Sequence, residues 1–220
     1  ITASQTDTAG NTGISTPFSF AVDTVPPTVT ITSIGGNDAT VSSDSNDQTV
    51  VGTAEAGSSV SIKFGAITLG TATANANGVW TYTLTSNNLS TIGQGSGKSI
   101  TASQTDSAGN TGTSNSFSFS VDTVAPSIAI TSIGGSDSTI TLGLGDQLIY
   151  GTGEPGLPVE LKLGDTFLAF VTPDSQAHWT YNLANHLGQL TSTNYTLNAS
   201  QTDAAGNTAT TSLPFSVDIN

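Results

Sequence analysis

The sequence predicts an all-β protein made of tandem copies of one sandwich domain, and three observations support this fold class. The chain has 220 residues, enough for two ordinary domains of about 100 residues each. Sequence motifs recur at a spacing of 99 residues, which indicates a repeated structural unit. Short segments alternate apolar and polar residues, as half-buried strands do, and no window sustains a helical period.

The repeat is visible as pairs of nearly identical motifs. The pairs are VDTVPP at Val22 and VDTVAP at Val121, ITSIGG at Ile31 and Ile130, GTAE at Gly52 and GTGE at Gly151, and VWTY at Val79 and HWTY at His178. A further motif, SQTD followed by AGN, occurs three times, around Asp7, Asp106 and Asp203. The last interval is 97 residues, so a shortened loop is expected between Trp179 and Asp203.

About seven short strands are predicted in each repeat. Alternation is clearest where one face carries Trp80, Tyr82 and Leu84, and where one face carries Phe117, Phe119 and Val121. The other predicted strands of the first repeat contain Val29 and Ile31, Val50 and Val51, Val60, Ile62 and Phe64, Ile67 and Leu69, and Ile100 and Ala102. Gly, Asn, Asp and Pro clusters separate them. This count predicts an immunoglobulin-like β-sandwich, here without a disulfide because the chain has no cysteine.

The repeat boundaries are predicted at the two VDTV motifs. Pro27 and Pro126 follow these motifs, and proline suits a short stiff junction because it cannot donate to a sheet. We therefore predict complete repeats at 25–123 and 124–220, arranged as a linear rod. Residues 1–24 would be the closing hairpin of a preceding repeat in a longer protein, leaning on a neighbour or a second molecule. The alternative phase, with a domain starting at Ile1, stays open.

Composition excludes several function classes. The chain has sixteen acidic residues and three basic ones, for a net charge of −13. This charge argues against nucleic acid and anionic membrane surfaces as partners. No apolar run is long enough to cross a membrane as a helix. His178 and His186 occur in the second repeat only and belong to no set of nucleophile, base and orienting group. An enzyme is therefore not expected.

One candidate site per junction follows from immunoglobulin-like topology. The loop after the second strand, the loop after the sixth strand and the incoming connector meet at the same end of a sandwich. They would gather Asp23, Glu55, Asp106 and Asn110 at one junction, and Asp122, Glu154, Asp203 and Asn207 at the next. Crowded carboxylates raise one another's pKa unless a cation is present, and oxygen-only ligands suit Ca²⁺. The alternative, that each Asp-x-Ala-Gly-Asn motif is only a turn, stays open.

Two other polar segments are weaker candidates. Asp44 and Asp47 lie in SSDSNDQ, either as a second ion site or as a solvated loop, and the spacing does not match an EF-hand. The IGGND and IGGSD motifs occur once per repeat, which favours a simple turn over a calcium-binding β-helix.

Together, VDTVPPTVTI, VVGTAEAGSSV, ANGVWTYTL and ITASQTDSAGNTG resemble the tandem bacterial Ig-like repeats of giant type-I-secreted RTX-type adhesins and biofilm-associated surface proteins. The resemblance covers essentially the whole chain. It implies an extracellular, cell-surface extender whose partners are neighbouring repeats and a host-cell or biofilm ligand. It also implies junctional Ca²⁺, with ligands carried over onto Asp23, Glu55 and Asp106, onto Asp122, Glu154 and Asp203, and onto Asn110 and Asn207.

The second repeat departs from this pattern at TPDSQAHWTY, where the Asn77-Gly78 turn of the first repeat has no counterpart. An adhesive module that binds a glycan or a protein is the alternative function. It would need a surface patch present in one repeat only, and PDSQAHW and NHLGQLTSTNY in the second repeat are the candidate segments.

Overall fold

The structure is a computed structural model that describes residues 1–143 and 145–219. These residues form an N-terminal hairpin followed by two sandwiches of similar topology. The hairpin and the first sandwich contain β1 (Ser4–Thr6), β2 (Thr12–Ile14), β3 (Thr30–Ile34), β4 (Thr40–Val41), β5 (Thr49–Thr53), β6 (Ser59–Phe64), β7 (Ile67–Thr73), β8 (Val79–Thr83), α1 (Ser86–Ile92), β9 (Gly95–Thr105), β10 (Thr111–Thr113) and β11 (Phe117–Val121). The second sandwich contains β12 (Ala129–Ile133), β13 (Thr139–Ile140), β14 (Leu148–Thr152), β15 (Val159–Leu163), β16 (Thr166–Val171), β17 (His178–Asn182), a 3₁₀ helix (Leu183–Gln189), β18 (Asn194–Thr202) and β19 (Thr208–Val217).

Each sandwich consists of a three-stranded sheet and a larger sheet. In the first repeat the strand orders are β3-β5-β8 and β4-β11-β9-β6-β7, with β10 also pairing with β9. In the second they are β12-β14-β17 and β13-β19-β18-β15-β16. Two pairings are parallel, β4 with β11 and β13 with β19, and the other pairings of the described strands are antiparallel. The predicted tandem immunoglobulin-like fold is confirmed.

In each repeat the first predicted strand is followed by a short strand in the other sheet that was not predicted from the sequence. In the first repeat β3 pairs with β5, and the chain then crosses to the other sheet, where β4 pairs with β11. The crossing is the Gly35–Ala39 turn, in which Gly35 and Gly36 have φ of 62° and 64°. A Cβ atom on Gly35 would strike the backbone of Thr40. The IGGND motif is therefore the turn that lets one strand serve both sheets.

Glycine and tryptophan motifs form one packing unit in the core. Trp80 and Trp179 are buried, at 1% and 3% exposure, as their alternation with apolar residues predicts. Gly52 lies opposite Trp80 in the β5–β8 register, and Gly151 lies opposite Trp179. A Cβ atom at either glycine would overlap the indole ring. The glycine of the GT(A/G)E motif is therefore required by the tryptophan that covers it.

The TPDSQAHWTY segment forms the same turn as the Asn-Gly turn of the first repeat. Asp174 Oδ1 accepts the backbone N–H of His178 at 2.9 Å, as Asn75 Oδ1 does in its own turn. Ala177 has φ of 68°, where Gly78 has φ of 76°. The backbone N–H of His178 lowers the pKa of Asp174 most. The second repeat therefore has alanine where the first has glycine, and alanine adopts a positive φ only at a cost in free energy.

The N-terminal hairpin pairs β1 with β2, and every residue from 1 to 26 is exposed. Phe18, Phe20 and Val22 are 70%, 57% and 74% exposed. Phe119 and Val121, the counterparts of Phe20 and Val22 in the first repeat, are buried. This contrast fits the assignment of 1–24 as part of a separate repeat, while the boundaries at 25–123 and 124–220 stay a prediction. Among the described residues no helix is long and apolar enough to cross a membrane.

Candidate functional site

The Asp-x-Ala-Gly-Asn motif is a self-contained turn at the end of a hairpin. In the second repeat Asp203 Oδ1 accepts the backbone N–H groups of Ala205 and Asn207, each at 2.9 Å. Its other oxygen, Oδ2, accepts the Asn207 side-chain amide at 2.9 Å. Asp106 makes the corresponding contacts with Asn110 in the first repeat. The turn interpretation is thus correct for the local geometry, with the asparagine amide as donor and the carboxylate as acceptor.

These hydrogen bonds set the electrostatics of the turn. The Asn110 side-chain amide, followed by backbone N–H groups, holds the pKa of Asp106 below its ordinary value. Asn11 has the same effect on the pKa of Asp7. Neighbouring carboxylates were expected to raise one another's pKa. The pKa of Asp106 is lowered instead, because hydrogen bonds to its charged form dominate.

The connector between the repeats is held by both of them. The backbone N–H of Asp122 donates to Val41 O of the first repeat at 2.9 Å. The backbone C=O of the same residue accepts the side-chain amide of Asn207 in the second repeat at 2.9 Å. Asp122 Oδ1 accepts the N–H of Val124 at 3.2 Å. One residue is thus bonded on its N–H side to one repeat and on its C=O side to the next.

A glutamine of the first repeat fixes the next position of the connector. The backbone N–H of Thr123 donates to Gln94 Oε1 at 3.0 Å, and Gln94 Nε2 donates to Thr123 Oγ1 at 2.6 Å. Gln94 lies between α1 and the start of β9. Residues 122 and 123 are therefore both anchored, which removes most of the hinge freedom that a polar linker would otherwise have.

Asn207 completes the junction. Its side-chain oxygen accepts the backbone N–H of Ser43 at 2.8 Å, and Ser43 lies in the β4–β5 loop of the first repeat. Asn207 is fully buried, at 0% exposure. Both side-chain donors are engaged as well, one by Asp203 and one by the C=O of Asp122.

In each repeat a buried glutamine holds the loop that follows the second predicted strand, which carries Glu55 or Glu154. Gln104 Oε1 accepts the backbone N–H of Glu55 at 3.2 Å, and its Nε2 donates to Glu55 Oε2 at 2.6 Å. Gln201 Oε1 accepts the N–H of Glu154 at 2.8 Å, and its Nε2 donates to Glu154 O at 3.0 Å. Both glutamines are 1% exposed. They were missed from the sequence, although the Gln of SQTD recurs in every copy of the motif.

The structure therefore connects the predicted site residues in two groups. Asn110 joins Asp106 to the backbone of Asp23, as Asn207 joins Asp203 to that of Asp122, while the glutamates bond to the neighbouring glutamines. Their oxygen chemistry suits Ca²⁺. Among residues 1–143 and 145–219, however, no group of three or more His, Cys, Asp or Glu side chains is arranged to hold a metal ion. Calcium binding at the junctions therefore stays a prediction.

The carboxylates of the second candidate ion site, Asp44 and Asp47, accept hydrogen bonds from backbone groups of their own loop. Asp47 Oδ2 accepts the backbone N–H of Ser42 at 2.9 Å, and Asp44 Oδ1 accepts that of Asn46 at 2.9 Å. Asp146 in the second repeat makes the contact that corresponds to that of Asp47. These carboxylates stabilise the β4–β5 loop and its counterpart, which is the solvated-loop interpretation.

Of the two complete sandwiches, the second has an exposed aromatic pair among its described residues. Phe167 and Phe170 on β16 are 50% and 63% exposed, and their ring centroids are 5.2 Å apart. A cavity of about 520 Å³ lies beside Phe167 and is also lined by His186 and Tyr195. The positions 99 residues earlier than the two phenylalanines hold threonines, so the first repeat lacks this patch.

Tandem sandwiches joined by an anchored connector define a modular immunoglobulin-like protein. Two family descriptions match the chain: "Bacterial Ig domain" at residues 36–121 and "Bacterial Ig-like domain" at residues 149–219. Together they cover well over half of the chain, which therefore belongs to the bacterial immunoglobulin-like domains. No curated protein sequence is significantly similar to it.

Several solved structures resemble the chain. One is described as a Ca²⁺-stabilised adhesin that helps an Antarctic bacterium reach out and bind ice, with 24% identity, a TM-score of 0.48, and coverage of 100% of this chain and 56% of that one. A 1.5-MDa bacterial ice-binding adhesin has 24% identity, a TM-score of 0.42, and coverage of 100% and 74%. A tetra-tandem repeat from the extending region of a large adhesion protein has 21% identity, a TM-score of 0.36, and coverage of 99% and 55%. The chain thus spans little more than half the length of the first and third of these structures.

Proposed function

We propose that the chain is a structural extender segment of a bacterial cell-surface adhesin, exported by type I secretion, in which Ig-like repeats hold a distal adhesive part away from the cell. The observation that carries this proposal is the double anchoring of Asp122, whose N–H bonds to Val41 and whose C=O bonds to Asn207. A connector fixed from both sides transmits the orientation of one repeat to the next. That is the property an extender requires, and a flexible linker lacks it.

The same contacts can be repeated along a longer array. At its leading end a repeat offers an asparagine that donates its side-chain amide to the connector's C=O, as Asn110 does with Asp23 and Asn207 with Asp122. At its trailing end it offers a backbone C=O to the N–H of the connector, as Val41 does. Ile140 O makes the corresponding contact with the N–H of Asp218. Each repeat therefore carries both halves of the junction.

Calcium belongs to the same proposal as a separate, testable part. Ion binding would need Asp122, Glu154 and Asp203 to move together from their present arrangement, releasing some of the hydrogen bonds described above. If an ion binds only the docked repeats, it stabilises them by RT ln(1 + [L]/Kd). Millimolar extracellular calcium fills sites with affinities of about 10⁻⁴–10⁻³ M, so the effect is expected outside the cell.

Small-angle scattering and thermal melting with and without EDTA test both parts. An extender gives an elongated particle with a narrow distribution of inter-repeat distances. A variant with Gln94 and Asn207 both replaced by alanine is the matched control, because it removes the side chains that hold the connector, and its distribution should broaden. A broad distribution for the natural chain contradicts the extender function. If EDTA changes neither the melting temperature nor the maximum dimension, the calcium part fails while the extender function stands.

The exposed aromatic pair favours a second candidate function, a glycan- or protein-binding surface on the second repeat. Phe167 and Phe170 lie on an edge strand, and Phe167 also lines a cavity. Aromatic faces are common platforms for sugars and protein partners. A glycan array tests it with the natural chain and with Phe167→Thr and Phe170→Thr, which copy the first repeat. Binding that both variants retain, or the absence of any binding, would count against this surface.

A further inference from the structure

We propose that Asn207 is the residue that docks the second repeat onto the first, by accepting the backbone N–H of Ser43, and that this contact needs no metal ion. The proposal deepens the extender function proposed above and rests on it, since it identifies the partner surface at the same junction. The partner is the β4–β5 loop of the preceding repeat, residues 42–48. Asn110 is expected to accept the corresponding N–H of a repeat that precedes it.

The first argument is the complete engagement of the Asn207 side chain. Its two N–H donors bond to Asp122 O and Asp203 Oδ2, each at 2.9 Å, and its oxygen accepts Ser43 N–H at 2.8 Å. The residue is 0% exposed. A buried amide with an unpaired oxygen would cost free energy, so the Ser43 contact is what makes the burial of Asn207 favourable.

The second argument is the rigidity of the donor. Within the β4–β5 loop, Ser42 N–H is held by Asp47 Oδ2 at 2.9 Å. Gln48 Nε2 donates to the backbone C=O groups of Ser42 and Ser43 at 3.2 and 3.4 Å. The Ser43 N–H group is therefore fixed in direction before the second repeat docks. Asp146 and Gln147 support the corresponding loop of the second repeat in the same way, so a further repeat could dock there.

The third argument compares two asparagines in the same turn. Asn110 bonds to Asp106 Oδ2 at 2.8 Å and to Asp23 O at 3.2 Å, matching the donor contacts of Asn207. It is only partly buried, and no described residue donates to its side-chain oxygen. Residues 1–24 contain no counterpart of the β4–β5 loop. The covering loop of a preceding repeat is thus the difference between the two environments.

The role requires asparagine in particular. The side chain must donate twice, to a carboxylate and to a backbone C=O, and accept once from a backbone N–H. An aspartate at 207 would retain the acceptor but would place a second negative charge beside Asp203 and Asp122 O. This requirement explains, without invoking ion coordination, why the fourth residue after the aspartate is asparagine in all three copies of the motif.

Amide hydrogen exchange measured by NMR on the full chain tests the proposal. In the natural protein the Ser43 amide should be protected, with a nuclear Overhauser contact to the Asn207 side chain. Asn207→Ala should lower Ser43 protection at least about tenfold, the loss of one hydrogen bond worth about 1.4 kcal/mol. The Ser42 amide, held by Asp47, should keep its protection and report an intact loop. Asn110→Ala removes the same local turn contacts and should leave Ser43 unchanged.

Three results would overturn the proposal. One is the absence of both Ser43 protection and the Asn207 contact in the natural protein, which needs no variant to fold. Another is equal loss of Ser43 protection in Asn110→Ala and Asn207→Ala. The third is Ser43 protection that appears with millimolar calcium and vanishes in EDTA, which would make the contact metal-dependent. An elongated particle with an unprotected Ser43 refutes this contact alone, whereas a protected Ser43 in a flexible particle refutes the extender function.

Discussion

Replacing Ala177 by glycine should stabilise the second repeat. Ala177 occupies the turn position that Gly78 occupies in the first repeat, with φ of 68° against 76°. An alanine in this left-handed region costs about 1–2 kcal/mol. Glycine avoids that cost but loses about 0.5–1 kcal/mol more conformational entropy on folding. The net gain for Ala177→Gly is therefore about 0.5–1 kcal/mol.

The reverse substitution at Gly78 provides the matched control. Gly78→Ala suffers the same backbone cost, and its Cβ atom would lie 2.7 Å from the backbone oxygen of Ala54. It should therefore destabilise the first repeat by about 1–2 kcal/mol or more. The two substitutions move in opposite directions and act on different repeats, so neither result can be explained by a general effect of glycine content.

Differential scanning calorimetry measures both effects. For a domain of this size, 1 kcal/mol corresponds to a shift of about 4–8 °C in the midpoint. Ala177→Gly should raise the transition of the second repeat by roughly 2–8 °C, and Gly78→Ala should lower that of the first repeat. An unchanged or lowered midpoint for Ala177→Gly would refute the assignment of backbone strain to this turn.

Three further predictions concern the core and the acid groups. Gly52→Ala should destabilise the first repeat by about 1–3 kcal/mol in chemical denaturation, because its Cβ atom would overlap the Trp80 indole; equal stability contradicts the packing argument. Trp179→Phe should lower the free energy of unfolding by about 0.5–1.5 kcal/mol more than Trp80→Phe does in the same assay. The indole N–H of Trp179 donates to the backbone C=O of Thr152 at 2.9 Å, whereas the indole N–H of Trp80 has no partner among the described residues. The pKa values of Asp106 and Asp174 are lowered from 3.8 by hydrogen bonds in the folded state, so their stabilisation is present above about pH 3.8 and is lost as the pH falls through the folded-state values. Asp106→Asn should therefore weaken the acid dependence of the melting temperature below about pH 3.8, and an unchanged dependence would contradict this assignment.

The fold was predictable because its signals are local and repeated. Alternation placed Trp80 and Phe119 in the core, and the 99-residue spacing identified the tandem organisation. The sheet crossing at Gly35 was not predictable as such. A Gly-Gly turn in a strand can end it, bulge it or redirect it, and only the pairing of β4 with β11 decides between these outcomes.

The candidate site was predictable in its location more than in its chemistry. Chain topology correctly brought the Asp203 turn to the connector at Asp122. The sequence supplied the oxygen and nitrogen atoms, but it could not show which lone pairs would be used by neighbouring N–H groups. In the structure, the side chain of Gln201 bonds to the backbone of Glu154, and the backbone N–H of Ser43 donates to the side-chain oxygen of Asn207. Backbone donors such as Ser43 leave no trace in residue identity, so such contacts escape a motif search.

The three copies of the turn show why a self-contained motif suits a junction. The asparagine amide lies 3.0, 2.8 and 2.9 Å from its aspartate in the Asp7, Asp106 and Asp203 copies. The first copy lies in a fully exposed hairpin, so this contact forms without a neighbouring repeat. The asparagine oxygen is thus oriented before docking, and little side-chain entropy remains to be lost when the Ser43 loop arrives. A turn that folds independently of its neighbour and leaves one acceptor oriented towards it lets successive repeats dock with a defined geometry.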